Sequence, residues 1–413
     1  MIKTVFFTFL ISAFIFIACD QDEYPLPTPK TTDTAFGAND TNYVELSPEW
    51  NNANLDHDFA DPHDITIGMD DIIYVADTGN DQIVAMSKSG EILTHDGLDH
   101  LKGIPHPTGV SVDSKLNVLI SNQSNTVYCW NQYFNFTQID SAATEALFYN
   151  SETNKTVQMT FSDYVTRLKK GESELEITDI LFENNQSWID RARTVYPIYV
   201  TEESGSSING VAAGQYGSDL FYLTESNYDR ITEIRLVPDM AVKTNGGSVL
   251  FRYQGIHSRE IASYGSGAGT VDDPWAIEVD EEGHIYFTQL GGNFRVQKLE
   301  WPDFEPAYIL GVHDIMDLGR FKSPTDIELD DQNAIFVIDR ENRDVSKFHN
   351  AGRRAGQQAY LGKKGLVTAL FEGAKGILAE NGIVYVLESG ENRIRRFQYS
   401  ISEEDVPDDD KKP

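Results

Sequence analysis

The chain has 413 residues, of which 40% are hydrophobic and 11% aromatic, enough for one large or two ordinary domains with a sizeable core. It carries 65 acidic against 33 basic residues, a formal net charge of -32. That balance excludes nucleic-acid binding, whose affinity rests on basic residues that displace counterions, and fits a solvated surface that attracts cations or basic partners.

The opening segment, MIKTVFFTFLISAFIFIAC, sets a lysine at position 3 before an apolar run from Val5 to Ala18. The run is shorter than the roughly 20 residues of a spanning helix and reads as the h-region of a signal peptide over residues 1–18. Its last residues, FIAC, resemble a bacterial lipobox, with a small residue directly before the cysteine. The resemblance implies cleavage before Cys19 and lipidation there, with the lipid membrane as a partner. The next residues, DQDEYP, are similar to the acidic export signal of lipoproteins in the Bacteroides–Flavobacterium group. That implies a lipid-anchored, surface-exposed position on the outer membrane. Residues 19–41, with PLPTPKTTD, read as an extended tether. The other cysteine, Cys129 in TVYCW, reads as a small buried apolar residue.

Six segments then repeat one internal order, starting at Asp61, His106, Ile208, Asp273, Ser323 and Gly373. A turn with Pro or Gly leads to a short alternating strand. A polar turn, a second strand, a loop of acid, small and amide residues, and a third strand follow. Period-two alternation with turn residues at fixed offsets marks repeated antiparallel blades. The expectation is an all-β six-bladed β-propeller over residues 42–400. A single blade is apolar on both faces and stays dry only against its neighbours.

The phrases IIYVADTGNDQI and IVYVLESGENRI are the best copies of a pattern that resembles NHL repeats, whose core is D-x-x-G-x-I/V-Y-V-x-D-x-x-N-x-R-I/V. The resemblance covers more than a third of the chain and implies six blades. It says little about function, because propellers host unrelated activities. Ile72, Tyr74, Ile335, Val337, Val384 and Val386 are expected in the core between blades. Asp77, Asn122, Glu225, Gln289, Asp339 and Glu388 end the second strands. Gln82, Arg230, Arg295 and Arg393, further along, are expected to tie a turn to its neighbour.

Fourth strands are expected in EILTHDG, VLFRYQG, PAYILGV and QQAYLG, after repeats one, three, four and five. Only an acidic tail follows the sixth repeat, so NYVELSP near residue 45 is expected to close the last blade from the N-terminal side. Residues 133–207 break the period and read as a mixed α/β insertion from blade two. It holds a hairpin in ALFYNSETNKTVQMTF and helices in SDYVTRLKKG and SWIDRARTVY. Residues 401–413 read as a disordered acidic tail.

Residues at the start of each first strand converge on one mouth of the central channel. They are His63, Thr108, Asn209, Trp275, Thr325 and Lys375, with Asp64 and Asp326 one step further in. Such a mixed ring suits an asymmetric polar ligand, with Trp275 as an apolar platform. The leading reading is a non-catalytic lipoprotein that binds a carbohydrate, a peptide or an outer-membrane transporter component at this mouth, with no cofactor.

The alternative is a metal-dependent propeller enzyme. DPHDITI is similar to the turns of peptidyl-hydroxyglycine amidating lyases, six-bladed propellers whose channel histidines bind zinc. That resemblance implies lyase or hydrolase chemistry with a divalent cation near His63 and Asp64. Only His63 occupies such a turn, however; the matching places hold the other five mouth residues. The chain has no G-x-S-x-G elbow, P-loop or H-E-x-x-H.

Overall fold

The computed structural model describes residues 42–136, 146–150, 155–159, 175–180, 190, 193–243, 249–355, 360–361 and 371–400. The leader, Cys19, the tether, the tail and the helix expected in SDYVTRLKKG lie outside them, as does half of SWIDRARTVY.

Six antiparallel sheets stand in a ring. Their first strands are Pro62–Ile67, Gly109–Val112, Ile208–Ala213, Pro274–Val279, Pro324–Leu329 and Ala374–Glu380. Each touches the next, and the last touches the first, so the ring is closed around an axis. The chain is a six-bladed β-propeller.

Burial follows the repeat. The second strands Ile73–Asp77, Asn117–Ser121, Ile285–Gln289 and Ile335–Asp339 are buried at every residue. The six residues expected between blades are all buried. Ile72 and Tyr74 of blade one pack on Val110, Val118, Ile120 and Trp130 of blade two. Val384 and Val386 of blade six pack on Phe336 and Ile338 of blade five. Each large apolar side chain removed from water in this way contributes about 1.5–3 kcal/mol.

The recurrent loop works as a pair of clamps. The acid that ends the second strand braces its own blade. Asp77 accepts from the Ala60 N–H at 2.8 Å, from Asn80 at 2.7 Å, from Gln82 at 3.2 Å and from His57 at 2.7 Å. Burial alone would raise its pKa, but these four hydrogen bonds hold it below the ordinary value. Glu225 pairs with Arg230 and Glu388 with Arg393 in the same way. Arg295 departs from the expectation, since its Nη1 is buried without a partner. Four residues after the acid, Asp81, Asp229 and Asn392 adopt left-handed φ angles of 53°, 45° and 51°. Asp and Asn tolerate that conformation best among residues with a Cβ. Each side chain then caps the backbone N–H that opens the next blade: Asp81 to His106 at 2.8 Å, Asp229 to Asp273 at 2.7 Å, and Asn392 to Asp61 at 2.8 Å.

Closure comes from the N-terminal side, as expected. Asn42–Glu45 pairs antiparallel with Arg393–Ser400, and Trp50–Asn51 pairs with the same strand. Glu45 and Arg395 form a buried ion pair at 2.9 and 3.0 Å across this seam.

Other outer strands differ from expectation. Tyr360–Leu361, from QQAYLG, runs parallel beside Asn42–Glu45 in the sheet of blade six and is not the fourth strand of blade five. It covers an edge that would otherwise stand unpaired. The outer strand of blade four is the short Glu305–Pro306, which overlaps the expected PAYILGV only at Pro306. In blade three the outer pair grows into a long hairpin, Arg230–Lys243 with Val249–Ala262.

The 133–207 insertion is narrower than expected at its C-terminal end, because Tyr196–Val200 is the fourth strand of blade two. The insertion therefore leaves between the third and fourth strands. The third strand of a blade runs away from the mouth where first strands begin, so the insertion emerges on the opposite face. Its described residues include a short helix, Tyr133–Phe136, and a separate three-stranded sheet that contains the expected hairpin, Ala146–Asn150 with Lys155–Met159. Cys129 is a buried free thiol in the third strand of blade two.

Candidate functional site

The mouth residues are aimed by one backbone device. In five of six blades the pairing of first and second strands slips by one residue at the mouth. In blade one Pro62 pairs with Asp77 and Asp64 with Ala76, which leaves His63 as the extra residue. The same bulge leaves Thr325 in blade five and Lys375 in blade six. In blades three and four it falls at Asn209 with Gly210 and at Trp275 with Ala276. A bulge bends the strand and re-aims a side chain. Blade two has a regular register, and Thr108 sits just before its first strand.

All eight sequence-identified mouth residues line one cavity of about 120 Å³. Arg340, Glu278 and Glu328 line it as well, and the sequence reading missed them. Glu278 lies two residues after Ala276, and Glu328 two after Asp326. Period-two alternation along AIEV and DIEL places them on the channel side, a signal available in the sequence. Arg340 follows the strand-ending acid of blade five and carries no such signal.

At the rim, Lys375 Nζ lies 2.7 Å from Asp61 Oδ1 and in hydrogen-bond contact with His63 Nε2. Asp61 Oδ2 is 3.3 Å from the same nitrogen. Nε2 cannot both accept from Lys375 and donate to Asp61. Burial, with the Lys375 charge second, pushes the His63 pKa down to about 4, so the ring is neutral at neutral pH and accepts from the ammonium. Burial also lowers the Lys375 pKa, against the pull of Asp61.

Below the rim four carboxyls face the lumen. Asp64 accepts the N–H of Ile65 at 2.8 Å and that of Val110, in the next blade, at 2.7 Å. Asp326 repeats this with Ile327 and with Ile377 of blade six, both at 2.8 Å. The two aspartates are thus staples between neighbouring first strands. Burial raises Asp64 to about 6 and Glu278 to about 7. Burial followed by mutual repulsion raises Asp326 and Glu328 well above the ordinary carboxyl range. Hydroxyls sew other seams: Thr78 donates to the Pro107 carbonyl, Ser121 to that of Asn209 and Thr224 to that of Trp275, at 2.6 to 2.7 Å. At the third of these seams a Cβ on Gly210 would stand 2.6 Å from the Trp275 carbonyl, so the approach requires glycine.

For a metal, the geometry is poor. His63 Nε2 is engaged by Lys375, and both oxygens of Asp64 hold backbone N–H groups. Among the described residues, no group of three or more His, Cys, Asp or Glu is placed to hold a metal ion.

Fold and mouth together define a class, a six-bladed β-propeller with a closed ring and a polar channel mouth. The sequence matches no family model and no curated protein. Among solved structures the chain is similar to a streptogramin B lyase at 15% identity, over 87% of this chain and 98% of that one, with a TM-score of 0.45. It is similar to a gluconolactonase from Xanthomonas campestris at 9% identity, over 87% and 97%, with a TM-score of 0.46. A structural-genomics protein of unknown function from Bacteroides thetaiotaomicron is 12% identical over 86% of this chain and 76% of that one, with a TM-score of 0.47. Likeness at these identities describes the fold alone.

Proposed function

We propose that the chain is a non-catalytic, NHL-type binding propeller, moored to the outer membrane through acylated Cys19, that receives its ligand at the channel mouth. The supporting observation is the set of bulges. Each turns a chemically different side chain toward one cavity, where a purely structural ring would repeat one small residue. Sites held on a rigid scaffold bind without an ordering cost, which is the use a propeller makes of its stiffness. A carbohydrate, a peptide or an outer-membrane transporter component is the partner class.

The test is capture from detergent-solubilised membranes with a tagged full chain, wild type against a His63→Ala, Trp275→Ala double variant. A partner retained by wild type and lost by the variant is expected. A bare chain from both, or a partner that persists in the variant, contradicts the proposal. Intact mass of the membrane-extracted protein tests the anchor: it is expected to begin at acylated Cys19, and a retained leader sinks that part.

A second reading, a metal-dependent lyase or hydrolase, has one observation in its favour. Asp64 and Glu278 are shifted up to about 6 and 7, the range for proton transfer at neutral pH. Metal analysis of the purified protein decides it, since the absence of any stoichiometric metal removes this reading.

A further inference from the structure

We infer that the mouth is built for the carboxylate of an acidic sugar, held by Arg340 and Lys375 while the sugar ring lies on Trp275. The inference rests on the mouth-binding reading above and names its ligand class.

The chain is strongly acidic, yet three nitrogen bases from three blades, His63, Arg340 and Lys375, meet at one rim. Arg340 is exposed and has no hydrogen-bond or carboxylate partner for its guanidinium among the described residues. Three other arginines of the ring are committed to carboxylates: Arg230 to Glu225 and Glu203, Arg393 to Glu388 and Glu49, Arg395 to Glu45. A planar fork left open at a cavity mouth matches a carboxylate. The one carboxylate beside Lys375 among the described residues is Asp61, whose side chain is 57% exposed, and its other neighbour is the neutral His63 ring, so that ammonium is available to a second anion.

Beneath the cations the chemistry reverses. Asp64, Glu278, Asp326 and Glu328 offer oxygens to the lumen, and Thr108, Asn209 and Thr325 ring it with small polar groups. Such a floor pairs with hydroxyl donors and repels a second negative charge. A phosphate dianion would meet that repulsion; a single carboxylate beside hydroxyls satisfies both layers. Trp275 supplies an apolar face for ring C–H groups, and the cavity volume suits one ring better than a long chain segment.

The experiment titrates the full chain by calorimetry with D-glucuronate and D-galacturonate, their neutral parents glucose and galactose, and the two sugar 6-phosphates. Uronate binding is expected, at least tenfold tighter than the neutral parent and weaker as salt rises. Arg340→Ala removes an exposed side chain whose guanidinium has no hydrogen-bond partner among the described residues, and is expected to lower uronate affinity about tenfold. Lys375→Met should do likewise, and Trp275→Ala should abolish binding.

No uronate binding at millimolar concentration overturns the inference, as does equal binding of the neutral sugars or a preference for the phosphates. If neutral sugars bind and Trp275→Ala removes them, the mouth-binding reading survives and only the acidic-sugar claim falls. Uronate binding untouched by Arg340→Ala and Trp275→Ala would place the site elsewhere, and both fall.

Discussion

The Lys375 ammonium stands 2.7 Å from the Asp61 carboxylate, across the seam where the last blade meets the first. That contact crosses the junction at which the ring closes, and it holds the cation against the His63 imidazole. Two functions therefore meet at one place: the seam is braced, and the charge of the rim is set.

Removing the cation should release the histidine. In Lys375→Met the His63 pKa is expected to climb from about 4 toward its ordinary 6.5, although burial keeps part of the depression. In the wild type the unfolded chain takes up this proton first as pH falls below about 6.5. Stability from His63 is thus present above that pH and lost on the way down to about 4. The variant should lose less across the same window. An NMR titration of the imidazole, assigned with His63→Ala, reads the shift, and acid-limb melting curves read the stability.

The lumen carboxyls should have the opposite sign. Glu278 is raised in the folded state, so the unfolded chain ionises first as pH rises and stability falls through the interval from about 4.5 to 7. Glu278→Gln removes that loss. Its stability relative to wild type should grow between about pH 5 and 8, reaching about 1–3 kcal/mol after allowance for water in the channel. Denaturant melts at the two pH values check it; a constant difference would mean that the carboxyl is not shifted.

Asp326 and Asp64 each hold a neighbouring first strand by its backbone N–H. Asp326→Ala leaves the amides of Ile327 and Ile377 without this acceptor and should cost about 2–6 kcal/mol, at about 1–3 per buried donor. Asp326→Asn keeps one acceptor oxygen and should cost about half. Urea unfolding measures both.

Ring closure gives a sharper loss. Arg395→Met takes the guanidinium away from the buried Glu45 carboxylate and should cost about 3–5 kcal/mol. The double variant with Glu45→Gln should recover much of it. A chain that starts at residue 53 lacks Asn42–Glu45 and the buried Trp50, and should lose cooperative unfolding altogether. Circular dichroism melts of the three proteins decide between these outcomes.

Much of this was legible because a propeller writes its geometry into a period. The start of each first strand is marked by a turn, so the repeat alone assigns His63, Trp275 and Lys375 to one mouth. The missing outer strand of blade six pointed to the segment around residue 45. What stayed hidden depends on contacts between distant segments. Tyr360–Leu361 has the same apolar pattern whether it edges blade five or blade six, and its pairing with Asn42–Glu45 depends on a segment more than 300 residues away. Tyr196–Val200 follows a long insertion, which erased its spacing from blade two. The left-handed Asp81, Asp229 and Asn392 recur in the repeat phrase, but their partners lie in the next blade. Arg340 shows as a site residue only once the ring brings it beside Lys375.

A crystal structure of the full chain soaked with galacturonate tests the central claim most directly. The account predicts a sugar at the mouth, its carboxylate against Arg340 and Lys375 and its ring over Trp275. A sugar bound on the opposite face, or a mouth that holds only water at saturating concentration, would contradict it.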